Sequence, residues 1–335
     1  MRLLDRAKGE KFTPSSDFYD HQFFYRIGPT NGSFVTEFIL MGLTEEPDLQ
    51  IPLWILFLVM YIVTALGNLS LIILIVMNTH LHTPMYLFLF NLSFIDFCYS
   101  SVTTPKMLVN LLSKNVISYM GCMTQLHCFC FFAISECYVL TSMAYDRYVA
   151  ICNPLLYNTA MSPKVCSYLI FASYLMAFFD AMIYTGSMLT LTFCDGNIIN
   201  HYFCDMLPLL QLSCTSTYVN EVEIFIVGGK DIIVPTFIIF ISYGFILPNI
   251  YQIRSTEGRF KAFSTCSSHI IAVSLFFGSG AFMYLKPSSA LSMDEGKISS
   301  VFYTIVVPML NPLIYSLRNK DVKIALRKTL SRRKF

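Results

Sequence analysis

The sequence predicts an all-α membrane protein, a bundle of seven transmembrane helices followed by a short amphipathic helix at the C-terminus. Composition is the first reason: of 335 residues, 55% are hydrophobic and only 13% are charged, whereas soluble domains carry about a quarter charged residues. Patterning is the second, because the apolar residues come in long blocks with short polar breaks. These observations exclude a soluble globular protein. The net charge of +2 also provides no basic surface for nucleic acid.

Seven of the apolar blocks are long enough to cross a membrane, since the hydrocarbon core takes about 20 residues of helix. We place spans one to seven at 51–77, 85–111, 123–152, 165–189, 222–253, 263–285 and 298–317. The membrane domain is therefore residues 51–317.

The two ends of the chain flank this domain. Residues 1–50 form an N-terminal segment, of which residues 1–30 contain no apolar run and are expected to be disordered, so that span one acts as its own insertion signal. Residues 318–335 are basic with interspersed apolar positions. That pattern predicts an amphipathic helix on the inner leaflet, and a disordered basic tail is the alternative.

Charge placement predicts the orientation. Arg254, Arg259 and Lys261 lie between spans five and six, eight more cations follow span seven, and the approach to span one is acidic. Because cytoplasmic loops are enriched in lysine and arginine, the N-terminus is expected outside and the C-terminus in the cytoplasm. Asn31 begins an Asn-Gly-Ser sequon on that outer side and is a credible glycosylation acceptor.

Four cysteines lie on the expected outer side. Cys122 is at the outer end of span three, and Cys194, Cys204 and Cys214 lie in the long loop between spans four and five. An oxidising compartment favours disulfides there, and four cysteines allow three pairings. A bridge from Cys122 would pin the loop across the mouth of the bundle. Free buried thiols are the alternative.

The two clearest acids within the spans are Asp96 in span two and Glu136 in span three. Carboxylates at similar depth repel each other unless one is protonated or a cation lies between them. We interpret the pair as a Na⁺ site, to which Asn68, Ser93 and Asn311 can contribute oxygens. A protonated carboxyl that hydrogen-bonds a neighbouring helix is the alternative.

One face of span three runs from apolar to charged. Phe129, Ala133, Glu136 and Arg147 follow the helical repeat. Asp146, next to Arg147, is expected to form a local ion pair at the membrane edge. Alone, this Asp-Arg-Tyr triplet could also be a snorkelling anchor.

Span five carries two adjacent charges in its outer half, Lys230 and Asp231. Neighbours on a helix point about 100° apart, so the two side chains face different surroundings. One could line a cavity while the other reaches a partner helix or the interface. Alternatively, both could be solvated where the helix meets the outer loop.

Six short strings, in order along the chain, carry a family resemblance. They are GN at 67–68, PMY at 84–86, LSFID at 92–96, MAYDRYVAIC at 143–152, KAFSTCSSH at 261–269 and PMLNPLIY at 308–315. Together they resemble odorant receptors, which are rhodopsin-like G-protein-coupled receptors. The strings of spans three and six are the most specific, and the resemblance covers the chain from about residue 31 to the C-terminus.

The resemblance implies a plasma-membrane receptor that binds small volatile odorants in a mostly apolar cavity and activates a stimulatory, olfactory-type G protein to raise cAMP. It implies no catalytic residues, no cofactor beyond a Na⁺ ion and no nucleic-acid partner. It also implies the disulfides Cys122–Cys204 and Cys194–Cys214, and it makes Asp96 and Glu136 similar to the sodium site of the family.

The resemblance also implies residue roles. Arg147 would engage the G-protein α-subunit when span six swings outward, with Tyr243 and Tyr315 stabilising the active arrangement. The implied coupling and switch residues are Asp146, Arg147, Tyr148, Tyr243, Asn311, Pro312 and Tyr315. The implied ligand-binding residues are Phe129, Cys130, Ala133, Ile134, Val227, Asp231, Phe277, Tyr284, Val301 and Thr304.

Three other classes of protein compete with this interpretation. Transporters and channels also place acids within the membrane, but they usually show internal repeats with paired broken helices, which this sequence lacks. A rhodopsin-like receptor for peptides or lipids is disfavoured by the span-six string and the three-cysteine loop. An enzyme is disfavoured because no nucleophile-base pair or metal motif is present.

Overall fold

The structure is a computed structural model that describes residues 35–44, 46–113, 115–194, 196–284 and 293–332. Within these residues, seven helices are long and apolar enough to cross a membrane: Pro47–Met77, Pro84–Asn110, Tyr119–Cys152, Pro163–Met188, Tyr218–Gln252, Thr256–Tyr284 and Glu295–Ser316. They are spans one to seven below. The predicted fold class is confirmed. The residues expected to be disordered, 1–30, and the sequon at Asn31 lie outside the described residues.

Local signals, such as proline in the first turn or a serine cap, mark where several of the spans begin. Pro47, Pro84 and Pro163 occupy the first turn of spans one, two and four, where a missing N–H costs nothing. Ser118 caps span three by accepting a hydrogen bond from the Gly121 N–H at 3.1 Å. Span six begins at Thr256 rather than at residue 263 because its first two turns are polar helix that a hydropathy window does not register.

Two spans contain a π turn, a single turn with one extra residue. In span five it is Ile224–Gly228, between helical segments Tyr218–Glu223 and Gly229–Gln252. In span seven it is Phe302–Val306, between Met293–Val301 and Val307–Arg318. Because of the extra residue, side chains after each π turn point in directions that a regular α-helical count does not predict.

Burial differs among the spans. Span three is the most buried, and spans one, four and five are the least. The outward side chains are large and apolar, including Leu66, Phe171 and Phe240. Such a surface suits lipid rather than water, and span three forms the axis of the bundle.

A small three-stranded sheet covers one end of the bundle, which we call the sheet end. Strand β1, Glu37–Leu40, lies between β2, Val116–Ser118, and β3, Ile198–Ile199. It pairs antiparallel with β2, with Phe38 opposite Ile117, and parallel with β3. Phe38 is fully buried, so the segment before span one packs onto the bundle.

The opposite end, which we call the Arg147 end, carries the short connections and the C-terminal helix. One-turn helices at Thr79–Leu81, Pro154–Leu156 and Tyr157–Ala160 join the spans there. The C-terminal helix is Lys320–Arg332. It buries Val322 and Ala325 against the bundle, so the tail is an amphipathic helix rather than a disordered segment.

Candidate functional site

Two disulfides organise the long loop at the sheet end. Cys122 is bonded to Cys204, with Cα atoms 5.5 Å apart, and Cys194 is bonded to Cys214, at 5.6 Å. The first bridge ties the loop to span three, and the second closes a local ring. Of the three possible pairings, the structure has the one that the family resemblance implies.

The first bridge holds residues 201–205 over the bundle, and we call these five residues the plug. All five are buried. The Tyr202 hydroxyl shares a hydrogen bond with Thr304 at 2.9 Å, and His201 Nε2 lies 3.2 Å from the hydroxyl of Ser300. The plug therefore closes the sheet end by contacts with span seven as well as span three, and the helix Met206–Leu210 follows it.

Asp205 ends the plug and connects it to span six. Its Oδ1 accepts hydrogen bonds from the Tyr284 hydroxyl at 3.0 Å and from the Met206 N–H at 2.7 Å. Burial raises the pKa of Asp205 to about 6, and burial lowers the pKa of His201 to about 3. At neutral pH, Asp205 is therefore largely ionised and His201 is neutral.

A cavity of about 90 Å³ lies below the plug. Seven of the ten predicted ligand-binding residues are on its wall, namely Phe129, Cys130, Ala133, Ile134, Asp231, Phe277 and Tyr284. The rest of the wall is Tyr99, Cys137, Tyr184, Met206, Ile224, Gly228, Ile232, Phe276, Gly280 and Tyr303. The wall is mostly aromatic and aliphatic, as a site for apolar ligands requires.

Three of the residues that the resemblance implies, Val227, Val301 and Thr304, do not line this cavity. Val227 lies in one π turn and Thr304 in the other, and Val301 immediately precedes the second. A count of 3.6 residues per turn fails where a turn has an extra residue. Gly228 and Tyr303 take the wall positions instead, and Thr304 bonds the plug.

The two adjacent charges of span five point in different directions. Asp231 lies on the cavity wall, where its Oδ1 accepts from the Tyr138 hydroxyl at 2.8 Å and from Lys230 Nζ at 3.1 Å. Lys230 reaches span four, where Nζ donates to both carboxylate oxygens of Asp180 at 2.9 and 2.8 Å. The structure therefore has the first of the two arrangements considered from the sequence, in which Asp231 lines the cavity and Lys230 reaches a partner helix.

The acids of spans two and three share one amide. Asn311 Nδ2 donates to both oxygens of Asp96, at 3.2 and 3.1 Å, and to Glu136 Oε1 at 3.3 Å. All three residues are buried. Glu136 Oε2, Asn311 Oδ1 and Asn68 Oδ1 have no hydrogen-bond donor among the described residues. One carboxylate oxygen and two amide oxygens that lack a donor fit a small hard cation such as Na⁺.

Arg147 is buried at its end of the bundle, and its predicted ion pair with Asp146 is absent. Arg147 Nη1 donates to the backbone carbonyl of Met143 at 3.2 Å, while Asp146 accepts from the Tyr157 hydroxyl at 2.8 Å. Consecutive side chains on a helix diverge, so each of the two finds a different partner. A space of about 20 Å³ beside Arg147 is also lined by Tyr315.

Two more of the predicted switch residues, Tyr243 and Tyr148, contact neighbouring spans. Tyr243 is hydrogen-bonded to His269 Nδ1 at 2.8 Å, and His269 Nε2 lies 3.0 Å from the carbonyl of Leu140. Tyr148 packs on Phe245, with ring centroids 6.0 Å apart.

His269 thus joins spans three, five and six, a role that the sequence reasoning missed although its string includes the residue. A histidine within an apolar span was the available signal.

Pro312 approaches span one closely. A Cβ placed on Gly67 would meet Pro312 Cγ at 3.0 Å. The glycine of the GN string therefore allows spans one and seven to pack together, beside the amide of Asn311.

Comparisons with known proteins agree with this architecture. The sequence profile of a family described as "Olfactory receptor" matches residues 57–333. Olfactory receptor 8B3 of Mus musculus is 71% identical over 301 residues, covering 90% of this chain and 95% of the relative. Olfactory receptor 8B8 of Mus musculus is 68% identical over 307 residues, covering 91% and 99%. Squid rhodopsin shares the fold, with a TM-score of 0.67 at 20% identity over 85% of this chain and 86% of that one.

Proposed function

The chain belongs to the olfactory receptor family of G-protein-coupled receptors, which are not enzymes, and from that membership we propose that it binds small volatile odorants in the cavity below the plug. We further propose that binding activates a stimulatory, olfactory-type G protein and so raises cAMP. The observation that carries the proposal is the mostly apolar cavity, which is lined by Asp231.

The size of the cavity supports small ligands. An apolar cavity of about 150 Å³ is enough for benzene, and this one has about 90 Å³. Shape and dispersion contacts with Phe129, Phe276 and Phe277 would provide most of the affinity. Larger odorants require the side chains of the wall to move.

Location and orientation are part of the same proposal. We place the receptor in the plasma membrane with the sheet end outside, where an oxidising compartment sustains the two disulfides. The Arg147 end then faces the cytoplasm. There the basic C-terminal helix, Lys320–Arg332, would lie on anionic lipid.

Activation is proposed as a population shift, in which ligand binds the active arrangement more tightly and shifts the equilibrium by that difference in affinity. His269 holds span six against span three through the Leu140 carbonyl. Movement of span six would break this contact and leave Arg147 free to engage the G protein, with Tyr243 and Tyr315 stabilising the active arrangement.

Sodium is proposed to act on the same equilibrium. Asp96 and Glu136 would hold the ion, with the Asn311 and Asn68 side-chain oxygens that lack donors as further ligands. The ion would offset part of the negative charge of two buried carboxylates. Its release would accompany rearrangement around Asn311 and Pro312 in span seven.

The test is a screen of volatile compounds on cells that express the receptor with a stimulatory G protein, read as cAMP. Arg147→Ala is expected to abolish the ligand-stimulated signal while surface expression stays normal, because the buried guanidinium is the proposed G-protein contact. Lys106→Ala is the control, since Lys106 is a cation at the sheet end whose Nζ donates to the Val116 carbonyl. Normal signalling from surface-expressed Arg147→Ala would refute the coupling role.

A further inference from the structure

One carboxylate oxygen on the cavity wall has no partner. Asp231 is only 3% exposed, and its Oδ1 is occupied by the Tyr138 hydroxyl and Lys230 Nζ. Its Oδ2 is buried without a hydrogen-bond donor among the described residues. An unsatisfied buried acceptor is unfavourable, and for a charged group the cost is larger. A donor carried by a ligand would remove that cost.

Asp231 Oδ2 and the Tyr99 hydroxyl are the buried polar atoms of the wall residues that have no hydrogen-bond partner among the described residues. Among the described wall residues, Asp231 alone bears a charge. The neighbouring phenylalanines offer no hydrogen bond. The Tyr284 hydroxyl is directed to Asp205 instead. A polar ligand group is therefore expected to bind at Asp231 while the hydrocarbon part fills the remaining space.

The charge balance favours a cation. Lys230 Nζ lies 2.8 Å from Asp180 Oδ2 and 3.1 Å from Asp231 Oδ1, and it binds Asp180 through both oxygens. One ammonium group thus serves two carboxylates, which leaves a net charge of about −1 when all three are ionised. Asp205, in the plug above the cavity, adds a further negative charge.

We propose that the preferred ligands are small primary amines, bound in the protonated form with the ammonium group donating to Asp231 Oδ2. Tyr138 is a positioning residue, because its hydroxyl holds Oδ1 and leaves Oδ2 as the oxygen that a ligand can use. This inference rests on the proposed function and names its ligand class. An ammonium group satisfies the free oxygen and offsets the excess charge, whereas a hydroxyl group only satisfies the oxygen.

The experiment compares four compounds of one shape: cyclopentylamine, cyclopentanol, cyclopentanone and methylcyclopentane, each titrated against cAMP at neutral pH. In the wild type, the amine is expected to be at least about tenfold more potent than the other three, because a charge-assisted hydrogen bond is stronger than a neutral one. Asp231→Asn is expected to weaken the amine response by about tenfold or more. It should leave the order of the other three compounds unchanged.

Two further variants complete the design. Tyr138→Phe keeps the carboxylate but frees Oδ1, and it is expected to weaken the amine response by a smaller factor than Asp231→Asn. Glu221→Gln is the matched control, because it removes an acid of the same span whose carboxylate accepts from Thr217 outside the cavity. It should leave amine potency unchanged.

The outcomes separate this inference from the proposed function. Equal or greater potency of cyclopentanone in the wild type overturns the inference, and so does an unchanged amine response of surface-expressed Asp231→Asn. If Asp231→Asn does not reach the surface, the order of potency of the four compounds on the wild type decides whether the inference holds. If the receptor responds to a broad odorant mixture but to no amine, the inference is wrong and the proposed function stands. A surface-expressed receptor silent to every compound contradicts both.

Discussion

The sheet end and the Arg147 end of the bundle are held together by different kinds of interaction. At the sheet end, two disulfides, a three-stranded sheet and the hydrogen bonds of the plug fix the loop. At the Arg147 end, the contacts are single hydrogen bonds such as Tyr243 to His269. Arg147 Nε and the Tyr315 hydroxyl are buried there without hydrogen-bond partners in the part of the chain that the structure describes.

The sheet end and the Arg147 end also differ in the free energy that stabilises them. Closing loops with sequence separations of 82 and 20 constrains the unfolded chain by about 4–5 and about 3 kcal/mol in the chain-entropy description. A single hydrogen bond contributes about 1 kcal/mol. The mouth of the cavity is thus costly to rearrange, while the Arg147 end can change partners at low cost. Such a division suits a receptor whose ligand and G protein bind at opposite ends.

The largest effect is expected from breaking the plug's covalent anchor. Cys122→Ser removes the bridge to Cys204 and should destabilise the receptor by about 4–5 kcal/mol, seen as a lower unfolding temperature and reduced surface expression. Cys98→Ser is the control, because Cys98 is a half-buried free thiol of span two. An unchanged unfolding temperature in Cys122→Ser would show that the plug is held without its bridge.

A smaller effect at the same end should depend on pH. The pKa of Asp205 is raised by burial from 3.8 to about 6, so the folded state binds this proton more tightly than the unfolded chain. The contribution of Asp205 to the free energy of unfolding is greatest below about pH 4. It decreases as the pH rises and levels off above about pH 6, and the total decrease is about 3 kcal/mol.

Unfolding temperatures of the wild type and of Asp205→Asn between pH 4 and 7 measure this contribution. The wild type should lose stability relative to the variant as the pH rises. Asp48→Asn, which removes an exposed acid near the same end, should track the wild type. Parallel curves for the wild type and Asp205→Asn would contradict the assignment.

The smallest effect is expected at the Arg147 end. His269→Leu removes the contacts to Tyr243 and to the Leu140 carbonyl, about 2 kcal/mol together. If both restrain span six, basal cAMP should rise by up to about thirtyfold. Ser279→Ala, whose hydroxyl bonds only within its own helix, should not change it. Unchanged basal cAMP in His269→Leu would mean that the two ends differ less than the contacts indicate.

Periodicity and composition were enough to predict the seven spans and the C-terminal helix. The family resemblance supplied seven of the seventeen residues on the cavity wall, and four of these, Phe129, Cys130, Ala133 and Ile134, lie on the regular helix of span three. The family resemblance, confirmed by the comparisons, chose one disulfide pairing among three that the cysteine positions alone left open.

The structure differs from the sequence analysis in two places, each with an identifiable cause. Val227, Val301 and Thr304 lie in or next to π turns and do not line the cavity, and no composition signal marks a π turn. The Asp146 and Arg147 pair was expected from adjacency in sequence, yet the Tyr157 hydroxyl, from the connection after span three, is the partner of Asp146. Such tertiary partners lie beyond what a local pattern can specify.

The central position of β1 has a mechanical consequence. Ile39 and Met41 donate to the backbone carbonyls of Asn197 and Ile199, and Leu40 donates to that of Asn115. A pull on the chain ahead of β1 is therefore resisted by several backbone hydrogen bonds at once. The load passes through β3 to Cys204 and, across the disulfide, into span three. Anything tethered to the N-terminal segment is coupled in tension to the lid of the cavity and the central helix of the bundle.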